Sequence, residues 1–308
     1  MAIQSIYVVS DKIEALNELC AGAKALADKV TAVMFGDEAA AQAAGVCGAD
    51  ALVYCPVSEA APEDYAAAIA EEVKKDPAAL VIVFNSIRGR CLAGKLGALL
   101  DTAVLTGLSA LTADGDKAVC SRMVYGGTAQ RDEVFTKAYG VVTVGNGMFE
   151  PAAEALPATT AISAIAGAPA ASYKVVAREE KKEGSVNLAA AKRIVDVGRG
   201  LAAEADLDMC YKLASVLGAE VGCSRPVAEN NKWLPKSSYM GITGVQVKPE
   251  LIIALGVSGQ VQHIGGINKS KVIVAINKDK NALIFKNCDF GVAGDMYKVV
   301  PALIEKLS

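Results

Sequence analysis

Short apolar segments rich in β-branched residues alternate with longer, Ala-rich segments along most of the chain. In the first half the apolar segments are SIYVVS (5–10), TAVMF (31–35), ALVY (51–54) and ALVIVF (79–84). The segments between them carry apolar residues at helical spacing, as at Ile13, Leu16 and Leu19. This alternation is typical of a parallel sheet covered by helices, so we expect an α/β fold.

The same alternation restarts in the second half, after an irregular segment that we call the seam. Strands are expected at KRIVDV (192–197), AEVGC (219–223), ELIIALGV (250–257) and KVIVAI (271–276). The seam, residues 146–188, has three prolines and the charged run EEKKEG, and only SYKVVARE within it resembles a strand. The 308 residues suffice for two domains. We predict an N-terminal domain over 1–188, including the return segment and linker, and a C-terminal domain over 189–308.

Between the two regular regions, KAVCSRMVYGG and YGVVTVGNG look like strands without long helices between them. They could extend the first sheet or flank it. We therefore expect two mainly parallel sheets with helices on their faces.

Composition excludes several classes of protein. The net charge is −3 and the basic residues are scattered, so we expect no nucleic-acid partner. No apolar run approaches the ~18 residues of a membrane span, and no secretory leader is evident, so we expect a cytoplasmic protein without membrane insertion. The eight cysteines contain no C-x-x-C, which predicts reduced thiols and no metal site.

Polar and glycine-rich turns follow the strands of the second half. They are Gly198-Arg199-Gly200, Ser224-Arg225-Pro226, the run from Ser258 through Gly259, Gln260, Val261 and Gln262 to His263, Asn277-Lys278-Asp279 and Gly294-Asp295. Thr243-Gly244 precedes the third strand. Parallel strands share one carboxyl edge, where ligands of open sheets bind, so these turns are expected to meet.

The residue types in these turns suit a large ligand with a diphosphate and a polar ring. Glycines allow close approach of the backbone, and Arg199 supplies a permanent bidentate cation for phosphate. Ser, Thr, Gln and Asn side chains suit hydroxyls and a heterocycle edge. A dinucleotide meets these demands, although a G-x-G-x-x-A match such as VGRGLAA alone does not identify one.

The same residues resemble the flavin-binding half of electron transfer flavoprotein α subunits. The matching segments are VGRG (197–200), GCSRPVAE (222–229), GITG (241–244), KPELIIALGVSGQVQH (248–263), VIVAINKDKNALIF (272–285) and DFGVAGDMYKVVPAL (289–303). SRPVAEN followed by Lys232 and Trp233 resembles the branch associated with anaerobic carnitine and related acyl-CoA metabolism. RGR (88–90) and MVYGG (123–127) are similar to the first half of the family.

The resemblance implies a Rossmann-like C-terminal domain that binds FAD, and a heterodimer with a β subunit contacted by the N-terminal domain. It implies an electron carrier, not an enzyme, that serves acyl-CoA dehydrogenases or reductases. Whether such a complex bifurcates electrons stays open.

By position, the resemblance also implies the cofactor contacts. It implies that Arg225 lies beside the isoalloxazine ring, that the Thr243 hydroxyl lies near N5, and that His263 lies near O2. The remaining implied contacts are Arg199, Ser224, Met240, Gly241, Ile242, Ser258, Gly259, Gln260, Val261, Gln262, Asn277, Asp295 and Met296. Ile242 stands where many relatives carry glutamine, so only a backbone contact is implied there.

His263, the only histidine, motivates a hypothesis about the redox potential. Reduced flavin carries negative charge over N1 and the adjacent carbonyl, and a cation or donor at that point stabilises it. The hypothesis assigns this work to His263 and Arg225. Two other interpretations stay open from sequence alone: a nicotinamide-dependent dehydrogenase using the GRGLAA turn, and a scaffold subunit without a cofactor.

Overall fold

The chain divides into two compact units, Met1–Arg178 and Glu179–Ser308. A computed structural model describes residues 3–57, 60–125, 128–150, 156–159, 161–170, 176–177 and 187–307. The predicted border at residues 188/189 stays a prediction. SYKVVARE and EEKKEG fall largely outside the described residues.

The first unit contains ten strands and four α-helices among its described residues. The strands are β1 Ile3–Ser10, β2 Ala27–Phe35, β3 Ala51–Cys55, β4 Ala79–Phe84, β5 Val104–Leu105, β6 Ala110–Asp114, β7 Lys117–Val124, β8 Ala129–Val134, β9 Tyr139–Val144 and β10 Ala161–Ala164. The helices are α1 Leu16–Lys24, α2 Glu38–Ala44, α3 Ala66–Val73 and α4 Ile87–Leu99.

Seven of these strands form one parallel sheet, in the order β10-β3-β2-β1-β4-β9-β5. Alternate residues of β1 enter different cores: Ile6 and Val8 pack with α1 and α2, while Tyr7 and Val9 pack with α3 and α4. Both faces are therefore covered, which explains why these strands are apolar almost throughout. The remaining strands, β6-β7-β8, form a separate antiparallel sheet.

The second unit is built on one five-stranded parallel sheet. Its strands are β11 Arg193–Val197, β12 Glu220–Cys223, β13 Leu251–Leu255, β14 Ile273–Asn277 and β15 Phe290–Ala293, in the order β12-β11-β13-β14-β15. Its α-helices are α5 Leu207–Leu217, α6 Val261–Ile267 and α7 Met296–Leu307. Helices α5 and α7 pack on one face of the sheet, and α6 contributes to the core on the other.

The fold class predicted from the sequence is confirmed: both units carry parallel sheets flanked by helices. YGVVTV extends the first sheet as β9, whereas KAVCSRMV flanks it in the antiparallel sheet. Strand β10 was missed, because it is a short edge strand with mostly exposed residues and no apolar periodicity. Strand β15 was missed for the same reason.

The expectation that Ser258 to His263 forms a loop throughout was wrong. Helix α6 begins at Val261 and holds His263 in its first turn. Two consecutive glycines, Gly265 and Gly266, hide this helix from propensity rules. They are tolerated because the chain packs closely there: a Cβ on Gly266 would lie 2.3 Å from the Gly241 nitrogen.

Candidate functional site

The turns after β11 and β13 pack backbone against backbone. The Gly198 and Gly200 N–H groups donate to the carbonyls of Leu255 and Gly256 at 2.8 and 3.0 Å. A Cβ on Gly198 would lie 2.3 Å from the Gly256 oxygen, and Gly256 itself has a φ of +63°. In the sheet, β12 lies on one side of β11 and β13 lies on the other, so the strand order reverses between β11 and β13. The contact therefore lies at the topological switch point, where open parallel sheets bind ligands.

A cavity of about 700 Å³ opens beside these turns. Its lining comes from the ends of β11, β12 and β13, the segment before β13 and the start of α6. The lining residues are Arg199, Gly200, Ser224, Arg225, Pro226, Tyr239, Met240, Ile242, Thr243, Gly256, Val257, Ser258, Gln260, Gln262 and His263. The volume is within the range of small-molecule sites.

Helix α6 and the segment 239–245 hold each other in place. The Met240 N–H donates to the Cys223 carbonyl at 2.9 Å, which ties the segment to β12. The Ile242 N–H donates to the Gln262 carbonyl at 2.8 Å, which ties it to α6. The backbone of this wall is therefore fixed by the sheet and the helix together.

His263 is buried with protein partners at both ring nitrogens. Its Nε2 lies 2.6 Å from Asp196 Oδ2 and its Nδ1 lies 3.0 Å from the Met240 carbonyl oxygen. His263 is 7% exposed and Asp196 is fully buried, so the pair is shielded from water. Burial by itself lowers the pKa of His263, but the Asp196 charge, its hydrogen bond and the Met240 carbonyl outweigh this, so the pKa is raised.

The position of Asp196 follows from the alternation of β11. Val195 and Val197 enter the core formed with α5 and α7, whereas Ile194 enters the opposite core, which includes Met240. Asp196 alternates with the two valines and so shares the face of Ile194. This register points its carboxylate at His263.

Two arginines reach the cavity from neighbouring strand ends. Arg199 is exposed, and no side chain among the described residues pairs with it. Arg225 donates from Nε to Glu229 at 2.6 Å, and this hydrogen bond raises the pKa of Arg225 and lowers the pKa of Glu229. The pair is exposed, so it orients the guanidinium more than it stabilises the fold.

The Thr243 hydroxyl is paired within the cavity wall. Its Oγ1 lies 2.5 Å from the hydroxyl oxygen of Tyr239, and either group can be the donor. When Tyr239 donates, the Thr243 hydroxyl keeps its own proton for a ligand. In that arrangement Tyr239 fixes the direction in which Thr243 can donate.

Ten of the sixteen predicted cofactor contacts line the cavity, and six do not. Those brought together are Arg199, Ser224, Arg225, Met240, Ile242, Thr243, Ser258, Gln260, Gln262 and His263. Those outside the lining are Gly241, Gly259, Val261, Asn277, Asp295 and Met296. All sixteen stay predictions as FAD contacts.

Four of the six residues outside the lining have specific contacts elsewhere. The Asn277 amide donates to the Val257 carbonyl at 2.8 Å and so braces the turn after β13. Gly259 has a φ of +80°, and a Cβ there would lie 2.1 Å from the Ile284 nitrogen. Asp295 accepts from the Tyr297 N–H in the first turn of α7, and Met296 belongs to the core. Asn277 therefore supports a turn that lines the cavity, whereas Asp295 and Met296 belong to the start of α7 and to the core.

Among the residues missed from the sequence are two whose side chains orient others at the site, Asp196 and Tyr239. Asp196 was treated as part of an apolar strand, yet a charged residue in such a strand is rarely buried without a partner. With one histidine in the chain, that signal pointed to His263 as a candidate partner. Tyr239 carried no comparable signal.

Fold and site together define a class of protein. A doubly wound parallel sheet presents a polar, arginine-bearing cavity at its switch point, in a unit joined to a second α/β unit. This is the arrangement of a dinucleotide-binding protein.

Comparison with known proteins identifies the family within that class. Residues 12–180 match the electron transfer flavoprotein domain, and residues 187–268 match the electron transfer flavoprotein FAD-binding domain. The chain belongs to the electron transfer flavoprotein α family, as its motifs predicted, and its cofactor is FAD.

Similar proteins cover nearly the whole chain. It is 39% identical over 307 residues to Protein FixB of Escherichia coli O81 (strain ED1a), and 38% identical to Protein FixB of Shigella flexneri, with 98% of each chain covered. Among solved structures, an X-ray structure of a Mycobacterium smegmatis protein aligns at 12% identity and a TM-score of 0.24. That alignment covers 98% of this chain and 59% of that one, and its similarity is too low to indicate a shared fold or function.

The donor set of the cavity fits FAD. Two arginines suit a diphosphate, hydroxyls and amides suit a ribityl chain and ring edge, and close glycine backbones leave room for a flat ring. Behind His263, Asp196 Oδ1 is buried and has no hydrogen-bond partner among the described residues. In the described ranges, no cluster of three metal-ligating side chains occurs, and no helix has the length and apolar character of a membrane span.

Proposed function

We propose that this chain is the FAD-carrying α subunit of a cytoplasmic heterodimer that carries electrons between acyl-CoA dehydrogenases or reductases and other redox carriers. The observation that carries the proposal is the cavity at the switch point of the second unit, in a chain of the electron transfer flavoprotein family. The N-terminal domain, 1–188, would contact the β subunit, and the C-terminal domain, 189–308, would hold the cofactor.

The site residues divide the work of binding. Arg199, which pairs with no side chain in the part of the chain that the structure describes, supplies a guanidinium for the diphosphate. Ser224 adds a hydroxyl at the end of β12. Gln260 and Gln262 supply amides at the start of α6. Thr243, oriented by Tyr239, supplies one directed hydroxyl at the ring.

FAD supplies the redox chemistry when it is bound, and the protein tunes its potential. Arg225 places positive charge at the cavity wall, and the raised pKa of His263 favours a positive charge there as well. Such charge favours the anionic reduced cofactor over the neutral oxidised one. A protein that only carries electrons needs no side chain that transfers a proton to a substrate.

The geometry does not favour the alternative of a nicotinamide-dependent dehydrogenase. In the dinucleotide fingerprint the glycine turn opens directly into a helix. Here helix α5 begins only at Leu207, and the Gly198 and Gly200 backbones are packed against Gly256. The GRGLAA turn therefore shapes the cavity floor.

The test is to produce the chain with its β subunit and to measure visible absorbance and flavin content. We expect a yellow complex whose FAD is lost or weakened about tenfold by Arg199→Ala, as for loss of a charge-assisted hydrogen bond of about 1.4 kcal/mol. Asp208→Asn, an exposed change on α5, is the matched control. Reduction of the bound FAD by an acyl-CoA dehydrogenase and its substrate tests the electron route. A colourless complex, or FAD that no acyl-CoA oxidoreductase reduces or oxidises, would contradict the proposal.

A further inference from the structure

Asp196 belongs to no motif that identifies the family in this chain, yet it makes the shortest contact of His263. Its Oδ2 lies 2.6 Å from His263 Nε2, deep between the sheet and α6. On the other side of the ring, the Met240 carbonyl lies 3.0 Å from Nδ1. The imidazole is held between two oxygens, both of which belong to the protein.

The number of hydrogen-bond donors on the His263 ring shows which protonation state fits between the Asp196 carboxylate and the Met240 carbonyl. An ionised carboxylate and a backbone carbonyl can only accept hydrogen bonds. A neutral imidazole has one N–H and one lone pair, so it would satisfy one oxygen and oppose the other. Only a doubly protonated ring donates to both.

The proton could instead sit on the carboxyl group, which would donate to Nε2. Imidazole is the stronger base in water by about two to three pKa units, so the proton favours the ring. The raised pKa of His263 agrees, because the Asp196 charge and both hydrogen bonds outweigh burial.

Other ionisable groups near the pair do not reverse this preference. Arg199, Arg225 and Tyr239 line the cavity, and the Cys223 thiol lies near Asp196 with a pKa raised to about 12 by burial and by that carboxylate. The arginines oppose a second cation, but Arg225 is paired with Glu229, and Asp196 is in direct contact with the ring.

We propose that Asp196 is a positioning residue that holds His263 as a fixed imidazolium, with both N–H groups turned toward the protein. His263 then acts on the cofactor as a permanent positive charge in the cavity wall. Only the effect on the cofactor rests on the proposed function; the state of the ring does not.

The single histidine makes a direct test possible. The full-length chain, purified without a histidine tag and labelled with ¹⁵N-histidine, gives the ring signals of His263 alone. At about pH 8 we expect both ring nitrogens in the protonated range, although an unperturbed histidine is almost wholly neutral there. A signal from one unprotonated nitrogen in the wild-type chain would overturn the proposal.

Asp196→Asn then removes the charge at constant shape. We expect one ring nitrogen to lose its proton at about pH 8 and to regain it near the ordinary histidine pKa of ~6.5 or below. Asp208→Asn should leave both nitrogens protonated. If Asp196→Asn left the ring doubly protonated at about pH 8, Asp196 would not be the residue that holds the charge.

Measuring the reduction potential of the FAD complex separates this inference from the proposed function. In Asp196→Asn we expect His263 to lose its proton as the pH rises from about 6 to 8, so the reduction potential of this variant should fall relative to that of the wild type. The reduction potential of Asp208→Asn should equal that of the wild type at each pH. If the wild-type complex bound no FAD, the proposed function would be refuted. The ¹⁵N signals of the His263 ring would still show whether that ring is doubly protonated. If the Asn variant does not fold, the wild-type spectrum alone confirms or refutes the imidazolium.

Discussion

The Asp196–His263 pair should make the stability of the C-terminal unit fall as the pH rises above about 6.5. The pKa of His263 is raised in the folded protein, whereas the unfolded chain has the ordinary value of about 6.5. Below that value both states hold the proton, and the pair contributes its full stabilisation. Above it the unfolded state releases the proton first, so the contribution is lost until the folded-state pKa is reached.

The size of the effect follows from the number of protons. Between the two pKa values the folded state holds one proton more than the unfolded state. The free energy of unfolding then falls by about 1.4 kcal/mol per pH unit, a tenfold change in the unfolding equilibrium for each unit. The reference is the double variant Asp196→Asn/His263→Gln, which keeps the shapes and leaves no titratable group in the pair.

The assay is urea unfolding of the wild-type and double-variant chains between about pH 5.5 and 8.5, at one fixed FAD concentration. Trp233, the only tryptophan, packs in the core of the second unit, so its fluorescence reports on that unit. We expect the difference between the two chains to be constant up to about pH 6.5 and to shrink above it. A difference that stays flat to about pH 8.5 would show that His263 is not charged in the folded protein.

Three further predictions concern single residues. Gly256→Ala should lower the free energy of unfolding by about 2–4 kcal/mol, because φ is +63° and the new Cβ would lie 2.7 Å from the Gly200 Cα; an unchanged urea midpoint would contradict this. Thr243→Val removes the hydroxyl that faces Tyr239 and should weaken FAD binding about fivefold, measured by flavin fluorescence titration, and an equal Kd would refute the predicted contact. All eight cysteines lie in the described ranges, and among them Cys91 alone is exposed, so iodoacetamide followed by mass spectrometry should find it alkylated first. Faster labelling of any buried cysteine would show that the fold opens there.

Much of the architecture was predictable because buried parallel strands leave a strong local signal. The segment ALVIVF coincides with β4, Ala79–Phe84, and KRIVDV contains β11, Arg193–Val197. Elements that are not buried on both sides left no such signal, as in β10, where only Ile162 is half-buried. Helix α6 was hidden because its glycines serve close packing against another segment, which local propensity does not register.

The meeting of polar turns was also predictable, since parallel strands place their carboxyl ends at one edge of the sheet. Arg199, Ser224, Thr243 and Ser258 come from different parts of the chain and line one cavity. Asn277, Asp295 and Met296 follow strands too, but they brace turns or join the core, and the pattern could not distinguish these uses.

The sequence by itself determined the α/β class, the family and the set of turns that line the cavity, because apolar periodicity and contiguous motifs are local properties. Only the tertiary structure decided what His263 does. Its partner Asp196 is 67 residues away. Their contact depends on the register of β11 beside β13 and on the close packing of α6 against Gly241, which together place one buried carboxylate under one buried ring.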